Sequence, residues 1–286
     1  MVVVERTKHA KALTVRRRIA KSPIRHRQES EPSGETGTGV SPRRWVLLAL
    51  AVCTALGSVF VGALTFWPDR GASAQPRAII VDQLARTFPN PALVSDTTEL
   101  LRKAGYAVDY VPDDQVTVDF YRNLPEKQYA MILLRSHVAR RKVDGVWSDA
   151  TLFTSESPVF EAHAREYKQK LLGVVTNDQE PGIRYAGVRA SFIEHEMVGD
   201  LHKATVVLMG CDGLRDEVLA RAFVARGAAE FVSWNESVTP GHNDAATTRL
   251  LAHLVADGHT AGAAVAETMA DVGSDPAFGA QLLAYP

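Results

Sequence analysis

Residues Ala204 to Gly213 read ATVVLMGCDG, an apolar run that breaks into a turn holding a cysteine between glycines. A short apolar run bounded by glycine is the pattern of a strand buried on both faces, so Ala204–Met209 reads as a core strand. Tyr129–Leu134 (YAMILL) reads the same way and ends at Arg135-Ser136-His137. Between such runs the periodicity changes to that of helices, and this alternation indicates a parallel sheet flanked by helices. Working outward, Ala78–Val81 and Tyr106–Val111 are two further strands, separated by a helix over Ser95–Ala104 that Gly105 stops. Val116–Leu124 is a short helix. Downstream, Asp216–Arg226 is an amphipathic helix ending at Gly227, Glu230–Trp234 is a strand, and Asn243–Ala256 and Thr260–Val272 are helices with apolar spacing of three and four. About five core strands result. The middle is less regular: Asp144-Gly145 signals a hairpin, Pro158–Lys170 is helical, Leu171–Thr176 is strand-like, and Gly182–Gly199 reads as either strand or loop.

Charge divides the chain. The net charge is −1, yet residues 1–44 hold eleven Lys/Arg against four Asp/Glu, a balance of +7, which leaves −8 for the rest. An acidic main domain argues against nucleic acid as its principal partner, since phosphate neutralisation needs clustered cations. The tail itself, rich in Ser, Gly and Arg and poor in apolar residues, has a disordered composition. From Trp45 to Trp67 run 23 residues without a charge, enough at about 1.5 Å per residue to span a bilayer core of about 30 Å. Trp45, Phe66 and Trp67 stand at interfacial positions, and the cationic excess before the span places the tail in the cytoplasm. The expected organisation is a basic cytoplasmic tail (1–44), a single membrane helix in contact with lipid (45–67), a linker (68–76) and an extracytoplasmic α/β domain (77–286). The competing reading is a cleaved signal, suggested by Arg43-Arg44 and Ala72-Ser73-Ala74; a span longer than a signal core, preceded by about 40 residues, argues for the anchor.

Of the two cysteines, Cys53 lies in the apolar span, so the domain has no internal disulfide and Cys211 is a lone thiol. In open parallel sheets, ligands bind beyond the carboxyl ends of the strands. His137 and Cys211 both stand there, and if their strands are neighbours about 4.8 Å apart both reach one crevice. A thiol needs a base or a cation to become nucleophilic, and histidine commonly serves. Gly210 and Gly213 let the turn bend around the thiol, and its backbone amides, just before the helix of Asp216, are candidate oxyanion donors. Arg135 can bind an acidic substrate group or pair with a carboxylate, and Asp82, at the end of the first strand, can line the pocket. The plain alternative for Cys211 is a small buried hydrophobe. His195, Glu196 and His202 fit no known zinc spacing, and Asn243 or Asp244 reads as a helix N-cap.

A histidine at one strand end followed by a Gly-Cys turn at the end of the next core strand resembles the caspase–gingipain clan of cysteine peptidases. After the cysteine, LARAFVARGAAEFVSWNESV is similar to the helix, Gly-Ala, strand and Trp segment of its CHAT-type members, and RLLAHLVADGHTAGAAVAETMADVG resembles their closing helices. The resemblance covers Arg77–Val272. It implies a caspase-like three-layer α/β sandwich and an endopeptidase on polypeptide substrates, with Cys211 as nucleophile, His137 managing protons, and the amides of Cys211 and Val138 holding the oxyanion; it implies no metal or organic cofactor. Two departures stand out: Val138 occupies the place of the clan's usual glycine after histidine, and Asp212 adjoins the thiol, where an inward-facing carboxylate disfavours thiolate. A catalytically silent binding or sensor domain, and a doubly wound amide hydrolase, are therefore the rival readings.

Overall fold

In the computed structural model, which describes residues 75–286, the apolar runs become the inner strands of a six-stranded sheet. The expected tail (1–44), membrane helix (45–67) and nearly all of the linker (68–76) lie outside those residues. Among the described residues no helix is long and apolar enough to cross a membrane.

The described residues begin with β1 (Arg77–Asp82), α1 (Pro91–Lys103) and β2 (Ala107–Pro112). It continues through α2 (Val118–Asn123) to β3 (Met131–Arg135), then short strands β4 (Val138–Ala139), β5 (Lys142–Val143), β6 (Val146–Trp147) and β7 (Thr151–Phe153). Next come α3 (Ala164–Lys168), β8 (Leu172–Val175), β9 (Tyr185–Arg189), α4 (Ala190–Glu196), β10 (Thr205–Met209), α5 (Val218–Ala225) and β11 (Glu230–Trp234). The chain closes with α6 (Pro240–Leu251), a π-turn (Ala252–Ala256), α7 (Ala261–Val272) and β12 (Leu282–Tyr285).

The main sheet has the order β12-β11-β10-β3-β1-β2, parallel except for β12, which runs antiparallel to β11. Alternate side chains of the inner strands go to opposite faces. Ile79, Val81, Ile132, Leu134, Val206 and Leu208 pack with Tyr121, Phe192 and Phe223 of α2, α4 and α5. Ala78, Ile80, Leu133 and Val207 pack with Leu101, Leu250 and Val265 of α1, α6 and α7. Three layers result, helix on sheet on helix. With both faces covered, truncating an inner leucine such as Leu134 to alanine costs about 2–5 kcal/mol. A second, four-stranded antiparallel sheet, β4-β7-β9-β8, stands beside the first, and β5-β6 forms the hairpin around Asp144-Gly145.

Several boundaries differ from the sequence reading for physical reasons. α1 starts at Pro91 because the Asn90 side chain accepts from Leu93 N–H at 3.1 Å, a cap with proline at the first turn. Over Pro158–Lys170 only Ala164–Lys168 is helical; Val159 and Phe160 are exposed, so the first half has no apolar face to bury. α6 starts at Pro240, so Asn243 and Asp244 sit inside it and cap nothing. Instead Asn243 accepts from Trp234 Nε1 at 2.7 Å, and Asp244 takes an arginine.

Candidate active site

β3 and β10 are neighbours in register, Met209 opposite Arg135. Cys211 and His137 thus stand two residues beyond the ends of adjacent parallel strands, and both line a crevice of about 470 Å³ together with Leu84, Phe88, Val238 and Phe278. A Cβ on Gly210 would lie 2.4 Å from Ser136 O and 2.9 Å from Val138 Cγ2. Only glycine lets the two chains approach so closely. Val138, the bulky residue after the histidine, therefore packs over a residue that has no side chain.

Each reactive group has its own partners. The Cys211 thiol donates to Val238 O at 3.7 Å and accepts from Val238 N–H at 3.5 Å. Burial raises its pKa; the Val238 contact offsets this in part, while the charges of Asp212 and Asp275 add to the rise. His137 Nε2 lies 3.1 Å from Thr87 Oγ1, its backbone N–H donates to Gln83 Oε1 at 3.0 Å, and its ring packs between Phe88 and Phe153 at centroid distances of 5.8 and 5.3 Å. Burial lowers the His137 pKa; the Glu180 carboxylate opposes this, and Arg135 adds to it. Both shifts favour the uncharged forms, a protonated thiol and a neutral imidazole lining one crevice. Among the described residues no hydrogen bond joins the two.

The turn after the thiol is ordered by side chains that do not themselves line the crevice. Asp212 has a positive φ of 58° and accepts from Arg215 Nε at 2.7 Å, while Arg140 Nε donates to its carbonyl at 3.2 Å. Its amide donates to Glu236 O at 3.0 Å and so is not available to an oxyanion. α5 begins at Val218 rather than at the expected Asp216, so several residues separate the turn from the helix. The Cys211 amide has no backbone acceptor among the described residues. Val138 and Leu152 oppose each other while Phe153 N–H donates to His137 O at 3.2 Å. That marks a non-hydrogen-bonded pair of the antiparallel ladder and directs the Val138 amide away from β7.

Arg135 and Asp82 do not reach the crevice. Arg135 donates to Asp82 Oδ1 at 2.8 Å, to both Asp244 oxygens at 3.0 Å and to Phe88 O at 2.7 Å, its side chain only 2% exposed. Burial raises the Asp82 pKa, and Arg135 holds part of that rise back. The strand order reverses between β1 and β3, where doubly wound sheets open their ligand crevice. Here the Asp82–Arg135–Asp244 cluster fills that point, and the open crevice lies instead over β3 and β10. Of the expected candidates, then, the structure brings together Cys211, His137 and Gly210, keeps Val138 beside them, and assigns Arg135 and Asp82 to each other. Glu196, weighed as a metal ligand with His195 and His202, pairs with Arg122 and Arg165. Gln83 and Thr87 were not singled out from sequence; their position just after β1, at the same sheet edge, was the available signal.

In comparisons with known proteins, no family model and no curated protein matches the chain.

Proposed function

We propose that the chain is a membrane-anchored cysteine endopeptidase of caspase-like type, held by residues 45–67 with its α/β domain outside the cytoplasm. The observation that carries the reading is the common crevice of Cys211 and His137, two residues past the ends of adjacent parallel strands in register. His137 takes the thiol proton as Cys211 Sγ bonds to the scissile carbonyl carbon, and then delivers it to the leaving amine; water hydrolyses the thioester. The amides of Cys211 and Val138 face the developing oxyanion. Because the resting pair is uncharged, proton transfer accompanies attack and no thiolate stands ready beforehand. The side-by-side histidine and cysteine strands favour this reading over a doubly wound amide hydrolase.

A second reading, a silent binding or sensor domain, is favoured by one observation: Sγ is engaged with Val238 and His137 with Thr87, not with each other. A peptidyl electrophile separates the two. Covalent labelling at Cys211, lost in His137→Ala while the fold persists, supports the peptidase; equal labelling of the two proteins overturns it. For the anchor, protease added to intact cells digests the C-terminal domain and spares the tail; digestion of the tail instead reverses the orientation.

A further inference from the structure

α6 runs directly into a π-turn, Ala252–Ala256, and such turns recur at functional sites. The wide turn, with Asp257 N–H on Ala252 O at 3.2 Å, is followed by a return in which His259 N–H meets His253 O at 3.1 Å. Asp257 and His259 are thereby folded back over His253, and one ligand atom from each of the three lies within 4.8 Å of the others. The imidazole planes of His253 and His259 are 6° from parallel with centroids 5.9 Å apart. His253 Nδ1 lies 2.9 Å from Asp257 Oδ2, and its Nε2 lies 3.2 Å from Asp271 Oδ2, on α7.

We propose that His253, Asp257 and His259 bind a divalent transition metal of the zinc class, with Asp271 orienting His253 from behind. Two imidazoles and a carboxylate suit zinc and its neighbours, whereas calcium and magnesium take oxygen ligands. Three protein ligands leave a fourth position for water. With the ion bound, Asp271 holds the His253 proton on Nε2 and leaves Nδ1 free to ligate, the carboxylate–histidine–metal arrangement that orients ligands in such sites. At bond lengths of about 2.0–2.2 Å, tetrahedral ligand atoms stand roughly 3.3 Å apart, so the Nδ1–Oδ2 gap need open only slightly to admit the ion. None of these residues lines the Cys211 crevice. The metal ties the π-turn to the loop that follows it, with α7 reached only through Asp271, and does not take part in chemistry at the thiol.

The test is zinc titration of the chelator-stripped full chain by calorimetry, with Co2+ absorption as a second readout of the ligand set. The wild type binds one equivalent at this site. His259→Ala and Asp257→Asn, both at exposed positions, abolish it, and Asp271→Asn weakens it by about 10–100-fold. Cys211→Ser leaves it unchanged, and thermal melts of each apo variant establish folding. Zinc affinity and Co2+ spectra that are the same in wild type, His259→Ala and Asp257→Asn overturn the site, as does binding lost in Cys211→Ser alone; the cluster is then a set of surface ion pairs.

Discussion

Thr87 Oγ1 lies 3.1 Å from His137 Nε2, so a residue of the β1–α1 loop holds the imidazole delivered by β3. If His137 acts as a base through Nδ1, its proton sits on Nε2 and the Thr87 hydroxyl accepts it. Thr87→Val keeps the shape and removes the acceptor, a loss of about 0.5–1.5 kcal/mol in holding the ring. Turnover, or labelling by a peptidyl electrophile, falls roughly two- to tenfold. Thr87→Ser restores it. Equal rates for wild type and Thr87→Val remove the hydroxyl from the mechanism.

The depressed His137 pKa fixes the sign of a pH dependence. The imidazole must be uncharged to accept the thiol proton, and burial keeps it so to a pH below its ordinary 6.5. The acid limb of kcat/KM therefore has its midpoint below 6.5, where a free histidine would place it. Glu180 is the charge that raises this pKa, so Glu180→Gln moves the limb further toward acid. Stability follows the same group. Between the lowered folded pKa and 6.5 the unfolded chain binds more protons, so stability contributed by His137 is full above 6.5 and falls as pH drops through that window. A limb that shifts upward in Glu180→Gln contradicts the assignment.

Arg135 tests the buried cluster. Its guanidinium faces two carboxylates, Asp82 and Asp244, with almost no solvent. Arg135→Met leaves both without their cation, and removing one partner of a buried ion network costs about 3–5 kcal/mol. The melting temperature falls accordingly, and further at pH 7 than at pH 4, because burial already raises the Asp82 pKa and the stranded Asp82 takes up a proton at the lower pH. A variant as stable as wild type at pH 7 shows that the cluster carries no such energy.

The sheet was legible because its inner strands are buried on both faces and so read as unbroken apolar runs, of which β3 and β10 are the clearest. From those runs alone His137 and Cys211 fall at the sheet's carboxyl edge. β4 and β7 have two and three residues, too few for any periodicity, so of the second sheet only β8 is legible, in the strand-like run Leu171–Thr176. β12 is an edge strand with only Leu282 buried, so its pattern barely differs from loop. Gly182–Gly199, ambiguous in sequence, divides into β9 and α4 at Arg189. Arg135 illustrates a different limit. Its partner Asp244 lies 109 residues away, and nothing local distinguishes an arginine that greets a substrate from one that neutralises a buried acid. The metal cluster was missed because its spacing, His-x3-Asp-x-His, converges only through the π-turn that no propensity announces.

Gly210 sets a steric test. A Cβ there would meet Ser136 O at 2.4 Å, a backbone atom that cannot swing aside. Gly210→Ala therefore displaces the strand ends, costing about 1–3 kcal/mol as overpacking does, and labelling of Cys211 falls with it. Val138→Ala relieves only the second contact, so the double variant stays destabilised. Full recovery in the double variant would assign the strain to Val138 instead.

The thiol's own titration decides between a nucleophile and a buried hydrophobe. Burial holds the Cys211 pKa above its ordinary 9.0, so alkylation of the native protein by iodoacetamide is slow at pH 7 and rises with pH up to and beyond 9.0. An inert buried cysteine gives that profile too, so His137→Ala supplies the discrimination. Where His137 accepts the thiol proton during attack, its loss slows alkylation by a peptidyl electrophile, which fills the crevice, far more than alkylation by small iodoacetamide, which relies on free thiolate. Cys211→Ser complements this: volume is nearly conserved, the fold survives with a loss of about 1–2 kcal/mol at most, and labelling ends because serine is a poorer nucleophile for this histidine. Both alkylation rates unchanged in His137→Ala would mean the imidazole takes no proton from Cys211, and the crevice would then be a binding site without catalysis.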